Sequence, residues 1–152
     1  MSSHARLVLR PMEPEDLEPC VDLYRRIFSH HPWRESWKHS TARRRLEEVF
    51  GAPNRFAYGA WDGEELLAFC LGTVITRSDR NSAQISDFGV EPQFALGNEL
   101  GIQLLDYTAA RLAERGVKSI YSILLADHPA IAWFQKSGFH YSQHYALLVK
   151  RM

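Results

Sequence analysis

Residues 55–76, RFAYGAWDGEELLAFCLGTVIT, place two apolar runs on either side of Asp62-Gly63. An Asp-Gly pair at such a junction favours the positive φ angles of a two-residue hairpin turn. Strands are therefore predicted over Arg55–Trp61 and Glu65–Thr76, antiparallel and adjacent. The rest of the chain has to be arranged around the sheet that this hairpin begins.

The flanking segments alternate between the two periodicities. RLVLR, Arg6–Arg10, is a short strand ended by Pro11. Pro14–Phe28 follows as a helix with Leu17, Cys20, Val21, Tyr24, Ile27 and Phe28 on one face. Pro14 suits a first helical position, whereas Pro19 removes an internal hydrogen bond and makes the helix start late or bend. Ser29–Ser40 is a loop rich in aromatic and imidazole groups. Thr41–Phe50 is a helix with Ser40 as its expected cap and Leu46, Val49 and Phe50 facing inward. After a turn at Gly51–Asn54 and the hairpin, Arg77–Ser82 is a polar turn and Ala83–Val90 a strand. Gly89 inside it suggests a bulge or a close backbone approach. Asn98–Arg115 is a helix with Leu104, Leu105, Thr108, Ala109 and Leu112 on its buried stripe, and Gly116 suits the position after its end. Lys118–Leu125 is a strand, Pro129 opens a short helix closed by Gly138, and Phe139–Ser142 and Tyr145–Lys150 are expected as two last strands. The order describes one α/β (α+β) domain over 1–152, with a mixed sheet of six or seven strands and about four helices.

Charge and cysteine content narrow the function. Eighteen basic residues balance eighteen acidic ones, and a nucleic-acid binder is usually basic. Arg43, Arg44 and Arg45 cluster, but on a helix such a run more often makes a solvated face. Cys20 and Cys70 lie among apolar neighbours without metal-binding spacing, and are expected as buried reduced thiols. No apolar run approaches membrane-spanning length, and SSHARLVLRPM lacks a signal-peptide pattern. The expectation is a cytoplasmic protein with no bound metal and no nucleic-acid or membrane partner.

Four phrases, in order and at matching spacing, resemble the GNAT superfamily of N-acetyltransferases. LVLRPMEPEDLEPCVDLY resembles its opening strand and helix, and AYGAWDGEELLAFCLGTV its second and third strands. ISDFGVEP resembles its fourth strand, and HPAIAWFQKSGFHY its late helix. The resemblance covers essentially the whole chain. FSHHPWRESW is also similar to a subset of small bacterial members in which a Pro-Trp segment lies near the acceptor pocket.

The resemblance implies an acetyl-coenzyme A-dependent N-acetyltransferase acting on a primary amine of a small molecule or peptide. The alternative it leaves open is a catalytically weak or inactive domain that binds acyl-coenzyme A or a partner in a regulatory role. Carried residue by residue, it implies cofactor binding by Phe88, Gly89 and Val90 on the fourth strand, by Gly97, Asn98 and Gly101 at the following helix start, and by Asp127 and Phe134. The helix start supplies amide donors and a positive dipole end to a diphosphate. VEPQFALGNELG departs from the family's loop. Gly101 matches its last glycine, Glu99 stands where another glycine belongs, and the usual basic or amide side chain is missing, so Gly97-Asn98 is either a phosphate cradle or merely a helix start. Asp87 holds the family's acidic position, where it would accept the amine proton or hold the ammonium; otherwise it is an outward polar residue or a partner for a bulge. The family's usual acid, a tyrosine, is Phe134 here, which leaves Tyr141 or Tyr121 as stand-ins or as packed strand residues. Asp127 either meets the pantetheine arm or caps the helix after it. His30, His31, Trp33 and Trp37 are candidate acceptor-pocket walls, with the tryptophans alternatively packed on the core. The family also implies a possible homodimer, through the last strands.

Overall fold

A computed structural model describes residues 6–30, 33–93 and 97–152. Its sheet has five strands in the order in which the chain makes them: β1 (Leu7–Pro11), β2 (Arg55–Asp62), β3 (Glu65–Ile75), β4 (Asn81–Val90) and β5 (Val117–Ser122). The first four are antiparallel neighbours, and β5 lies parallel to β4. A parallel neighbour needs a long crossover, and α3 (Gly97–Glu114) provides it.

Helices α1 (Leu17–Ser29) and α2 (His39–Phe50) cover one face, burying Cys20, Val21, Leu23, Ile27, Ala42 and Leu46 against Phe69 and Leu71. On the other face α3 and α4 (Ile131–Lys136) bury Leu100, Leu104, Leu105, Leu112 and Phe134 against Phe56, Cys70, Ile85 and Phe88. No helix among the described residues is long and apolar enough to cross a membrane.

The predicted hairpin forms with its turn one residue later: Asp62 pairs with Glu65 in the ladder, so Gly63 and Glu64 make the turn, and Gly63 takes φ 61°. The first helix starts late. A 3-10 turn occupies Pro14–Asp16, and Pro19 falls in the first turn of α1, where an N–H would have no helical acceptor. Both cysteines are free thiols and fully buried.

Three expectations are corrected, and of the two readings of Gly89 the structure selects close approach. Ser40 does not cap α2; the helix begins two residues earlier, at His39, with Lys38 at the cap position and no side-chain cap. The bulge of β4 lies at Ser86, between the pairs Leu71↔Asp87 and Gly72↔Ile85, whereas Gly89 pairs regularly with Phe69. Gly89 instead serves close approach, since a Cβ there would come within 2.6 Å of Ile27 Cδ1. The fifth strand is shorter than expected, ending at Ser122. Finally, Phe139–Ser142 and Tyr145–Lys150 form no strands, so the sheet has five strands among the described residues and not six or seven. Phe139 packs on Phe134 at a ring distance of 5.0 Å, and every residue from 140 to 152 is exposed.

Candidate functional site

β4 and β5 part company halfway along β4. Their ladder runs from Asn81↔Val117 to Ile85↔Ser122, where Ser122 Oγ donates to the Ile85 carbonyl at 3.0 Å. β4 then continues to Val90, paired on its β3 side. Its other edge, from Ser86 to Val90, has no strand beside it among the described residues. The N-terminus of α3 follows at the same end of the sheet, at Gly97, bringing amide donors and a positive dipole end there.

The bulge at Ser86 decides which way the next side chain points. Ala83 and Ile85 face α3. By strict alternation Asp87 would do the same, but one extra residue inverts the phase. Phe88 and Val90 now face the α3 side, and Asp87 turns to α1 and α2. There it is 7% exposed and meets Arg45 of α2. Arg45 Nη2 donates to Oδ1 at 2.6 Å and Nε to Oδ2 at 3.3 Å, while Ser86 Oγ donates to Oδ1 at 2.7 Å. Burial alone would lower the Arg45 guanidinium, and the carboxylate outweighs it, holding Arg45 above its ordinary value. The same burial, reinforced by the charge of Asp87, pushes the Tyr24 hydroxyl and the Cys20 thiol well up. A carboxylate held this way is oriented by three donors.

A chain of rings lines the same side. Tyr24 meets Phe28 at 4.6 Å and Trp37 at 5.2 Å, Phe28 meets Trp33 at 5.1 Å, and Trp33 meets the His128 ring at 4.9 Å. The loop after α1 is thereby joined to the loop after β5. His128 Nδ1 accepts the Ala130 N–H at 2.9 Å, which requires that nitrogen to be unprotonated. Burial lowers the imidazole below its ordinary value, with Asp127 opposing.

The candidates divide accordingly. Asp87, Trp33 and Trp37 gather on the α1–α2 face, both tryptophans half-buried against its core. His30 closes α1, and its Nδ1 lies 2.6 Å from the Arg26 carbonyl. Phe88, Gly89 and Val90 sit on the unpaired length of β4. Phe134 is a core residue, its ring 5.2 Å from Phe88. A Cβ at Gly101 would come within 2.7 Å of the Trp133 ring, so this glycine lets α3 and α4 approach. Glu99 is exposed, away from the core. Asp127 is exposed and does not cap α4, whose cap position is Ala130 with no side-chain cap bond. Tyr141 is 68% exposed beyond α4, and Tyr121 lies on β5 with its hydroxyl 3.4 Å from Gln84. His31 lies outside the described residues, as do Phe94, Ala95 and Leu96; Gly97 and Asn98 are placed only as the start of α3.

Arg45, Tyr24 and His128 were not singled out by sequence reasoning as members of this cluster. Arg45 carried a signal, lying three residues after Ala42 and four before Val49, on the stripe that α2 buries. A separate groove of about 710 Å³ opens between α1, the β2–β3 turn and the end of β4. It is lined by Glu18, Asp22, Asp62, Glu64, Glu65 and Glu91, with Arg26 paired to Glu91 at 2.7 Å. It does not contain Asp87.

Comparison with known proteins places this geometry. Residues 17–139 match the family model described as the acetyltransferase (GNAT) family. A mycothiol acetyltransferase of Catenulispora acidiphila is 30% identical over 128 residues, 82% of this chain. The chain spans 40% of that relative's length. Among solved structures, an aminoglycoside acetyltransferase from an uncultured soil metagenomic sample, in complex with sisomicin, superposes with TM-score 0.76 at 13% identity, over 99% of each chain. A transcriptional regulator from Bacillus halodurans C-125 gives 0.74 at 21% identity, over 95% of this chain and 99% of that one. An aminoglycoside N-acetyltransferase in complex with CoA gives 0.73 at 16%, over 96% and 95%. At these identities the structures share the fold.

Proposed function

The chain belongs to the GNAT family of acetyltransferases, and on that premise we propose that it transfers an acetyl group from acetyl-coenzyme A to a primary amine of a small molecule or peptide. The observation that supports this best is the unpaired edge of β4 from Ser86 to Val90, opening beside the N-terminus of α3. Free strand amides suit an extended pantetheine arm, as they suit any chain added at a sheet edge. The amides at Gly97 and Asn98 would take the diphosphate. When bound, the cofactor supplies an acetyl thioester.

The chain's own residues then have two tasks. The aromatic wall of Tyr24, Phe28, Trp33 and Trp37 excludes water beside Asp87. Asp87 holds the acceptor's ammonium and takes its proton, which requires Arg45 to release one carboxylate oxygen. The acidic groove would raise the local concentration of a cationic acceptor. Phe134 has no proton to give, so this reading leaves the departing thiolate without the family's usual acid, an aid generally worth about 10²–10⁴-fold.

A second reading rests on one observation: Arg45 already occupies both oxygens of Asp87. A domain that holds acyl-coenzyme A in a regulatory role would have this arrangement without turnover. Thermal denaturation with acetyl-coenzyme A, against adenosine diphosphate and buffer, followed by thiol release over a panel of amines, separates the two. Ligand at about 100 times its Kd adds about 2.7 kcal/mol, several degrees for a domain of this size. A shift with turnover supports the transferase, a shift without turnover supports the regulatory domain, and no shift at millimolar ligand removes both.

A further inference from the structure

We propose that the acceptor is a free α-amino acid with an apolar side chain, its ammonium held by Asp87 and its carboxylate by Arg45. This narrows the acceptor of the reading above and rests on it. The two side chains already hold each other through a two-pronged contact, with Arg45 Nη2 on Asp87 Oδ1 at 2.6 Å and Nε on Oδ2 at 3.3 Å. An ammonium that takes one oxygen of Asp87 breaks half of that contact. The displaced guanidinium gave up part of its hydration to reach its place, and it is stranded there unless an anion arrives with the amine. A monoamine brings none. A ligand with both charges exchanges one internal ion pair for two, and every charge stays matched.

The neighbouring groups do not take Asp87's place. Glu48 Oε1 lies 3.9 Å from Arg45 Nη1, on a side chain that is 67% exposed. Glu35, the other carboxylate felt by Tyr24, is exposed and accepts from Trp37 Nε1 at 2.7 Å. The Tyr24 hydroxyl meets the guanidinium, but burial pushes it up and keeps it neutral. Spacing then fixes the ligand class. Arg45 and Asp87 are in direct contact, so the groups that replace each in the other's grip have to sit a few ångströms apart. An ammonium and a carboxylate on one carbon do so, and a planar carboxylate matches the guanidinium fork. A peptide N-terminus carries an uncharged amide where the second charge is needed. The aromatic wall specifies the side chain. Tyr24 touches Phe28 and Trp37, and Phe28 touches Trp33; the latter three rings are only partly buried and offer an apolar surface beside the pair. The acidic groove is lined by neither Asp87 nor Arg45 and is a separate feature.

The test is calorimetric titration of the full chain, with and without coenzyme A, using phenylalanine, phenylalaninamide (no carboxylate) and phenylpropanoate (no amine). A parallel series of leucine, leucinamide and isocaproate varies the side chain. The amino acid should bind at least about tenfold more tightly than either analogue, because each analogue leaves one charge of the pair unmatched. Arg45→Met should bring the amino acid level with its amide, and Arg45→Lys, which keeps the charge and loses the fork, should fall between. The wild-type series decides the question even if a variant fails to fold. An amide that binds as tightly as its amino acid overturns the proposal, and so does the absence of binding in both series. Thiol release from acetyl-coenzyme A over the same compounds and over simple monoamines tells this failure from that of the transferase reading. Monoamines turned over as fast as amino acids leave the transferase standing and overturn the amino-acid acceptor. Tight binding of the amino acid with no thiol release from any amine supports the ligand assignment and removes the transferase.

Discussion

Disrupting the Asp87–Arg45 pair has a sign that follows from its geometry. Removing the carboxylate's charge leaves a guanidinium that gave up part of its hydration to meet it. Asp87→Asn is expected to cost about 1–3 kcal/mol, toward the lower end because Arg45 keeps 34% side-chain exposure. The double variant Arg45→Met/Asp87→Asn should cost less than the two singles summed, a coupling that urea unfolding of the four proteins measures. If acetyl transfer is the function, Asp87→Asn also lowers kcat while the thermal shift with acetyl-coenzyme A persists; full kcat in the variant would remove Asp87 from the mechanism. His128 gives the pH dependence. Its folded-state value lies below the ordinary 6.5, so the unfolded chain binds the extra proton first. Its contribution to stability is fully present above about 6.5 and is lost as the pH falls below it, through the depressed value. His128→Asn keeps an acceptor for the Ala130 N–H and does not titrate. The fall in Tm from pH 7.5 to 5.5 should therefore be smaller in the variant than in the wild type.

At the scale of elements, the turns and the faces were legible and the irregularities were not. Asp62-Gly63, the apolar stripe of α1 and the lateness of its start all follow from local chemistry at Gly63 and Pro19. The bulge went to Ser86 and not to Gly89, because the partner strand decides where an extra residue fits, and a single segment does not contain its partner. Opposite that bulge stands Gly72, where a Cβ would overlap the Gln84 carbonyl oxygen and lie 2.6 Å from Phe56 Cζ. A backbone oxygen cannot rotate away, so Gly72→Ala is expected to cost about 3 kcal/mol, the upper end of overpacking penalties. At Gly101 the obstacle is the Trp133 side chain, which can yield, and Gly101→Ala should cost about 1 kcal/mol. Denaturant midpoints in the reverse order would refute this account of the two positions. Arg45 was obscured for the same reason as the bulge: its stripe position could be read, but the carboxylate that draws it inward lies 42 residues away. The strand expected at Tyr145–Lys150 has the composition of a strand, but no strand of the sheet lies beside it.

For the molecule as a whole, the two thiols report on global opening. Cys20 and Cys70 lie on opposite faces of the sheet, each fully buried, and burial pushes Cys70 up to about 12. Neither should react with a thiol reagent in the native state at neutral pH. Both should label together as urea unfolds the chain, which mass spectrometry at intermediate urea reads directly; one thiol labelling well ahead of the other would show that the two faces open separately. The order of the sheet has a consequence for how the molecule comes into being. Each strand lies beside the one made just before it. A chain emerging from the ribosome therefore grows its sheet from one side, as a crystal grows on a single face, and the newest strand is always the edge at which the next addition occurs. No strand has to be wedged between two that are already joined, so a stalled or truncated chain ends on a free edge with a finished neighbourhood behind it.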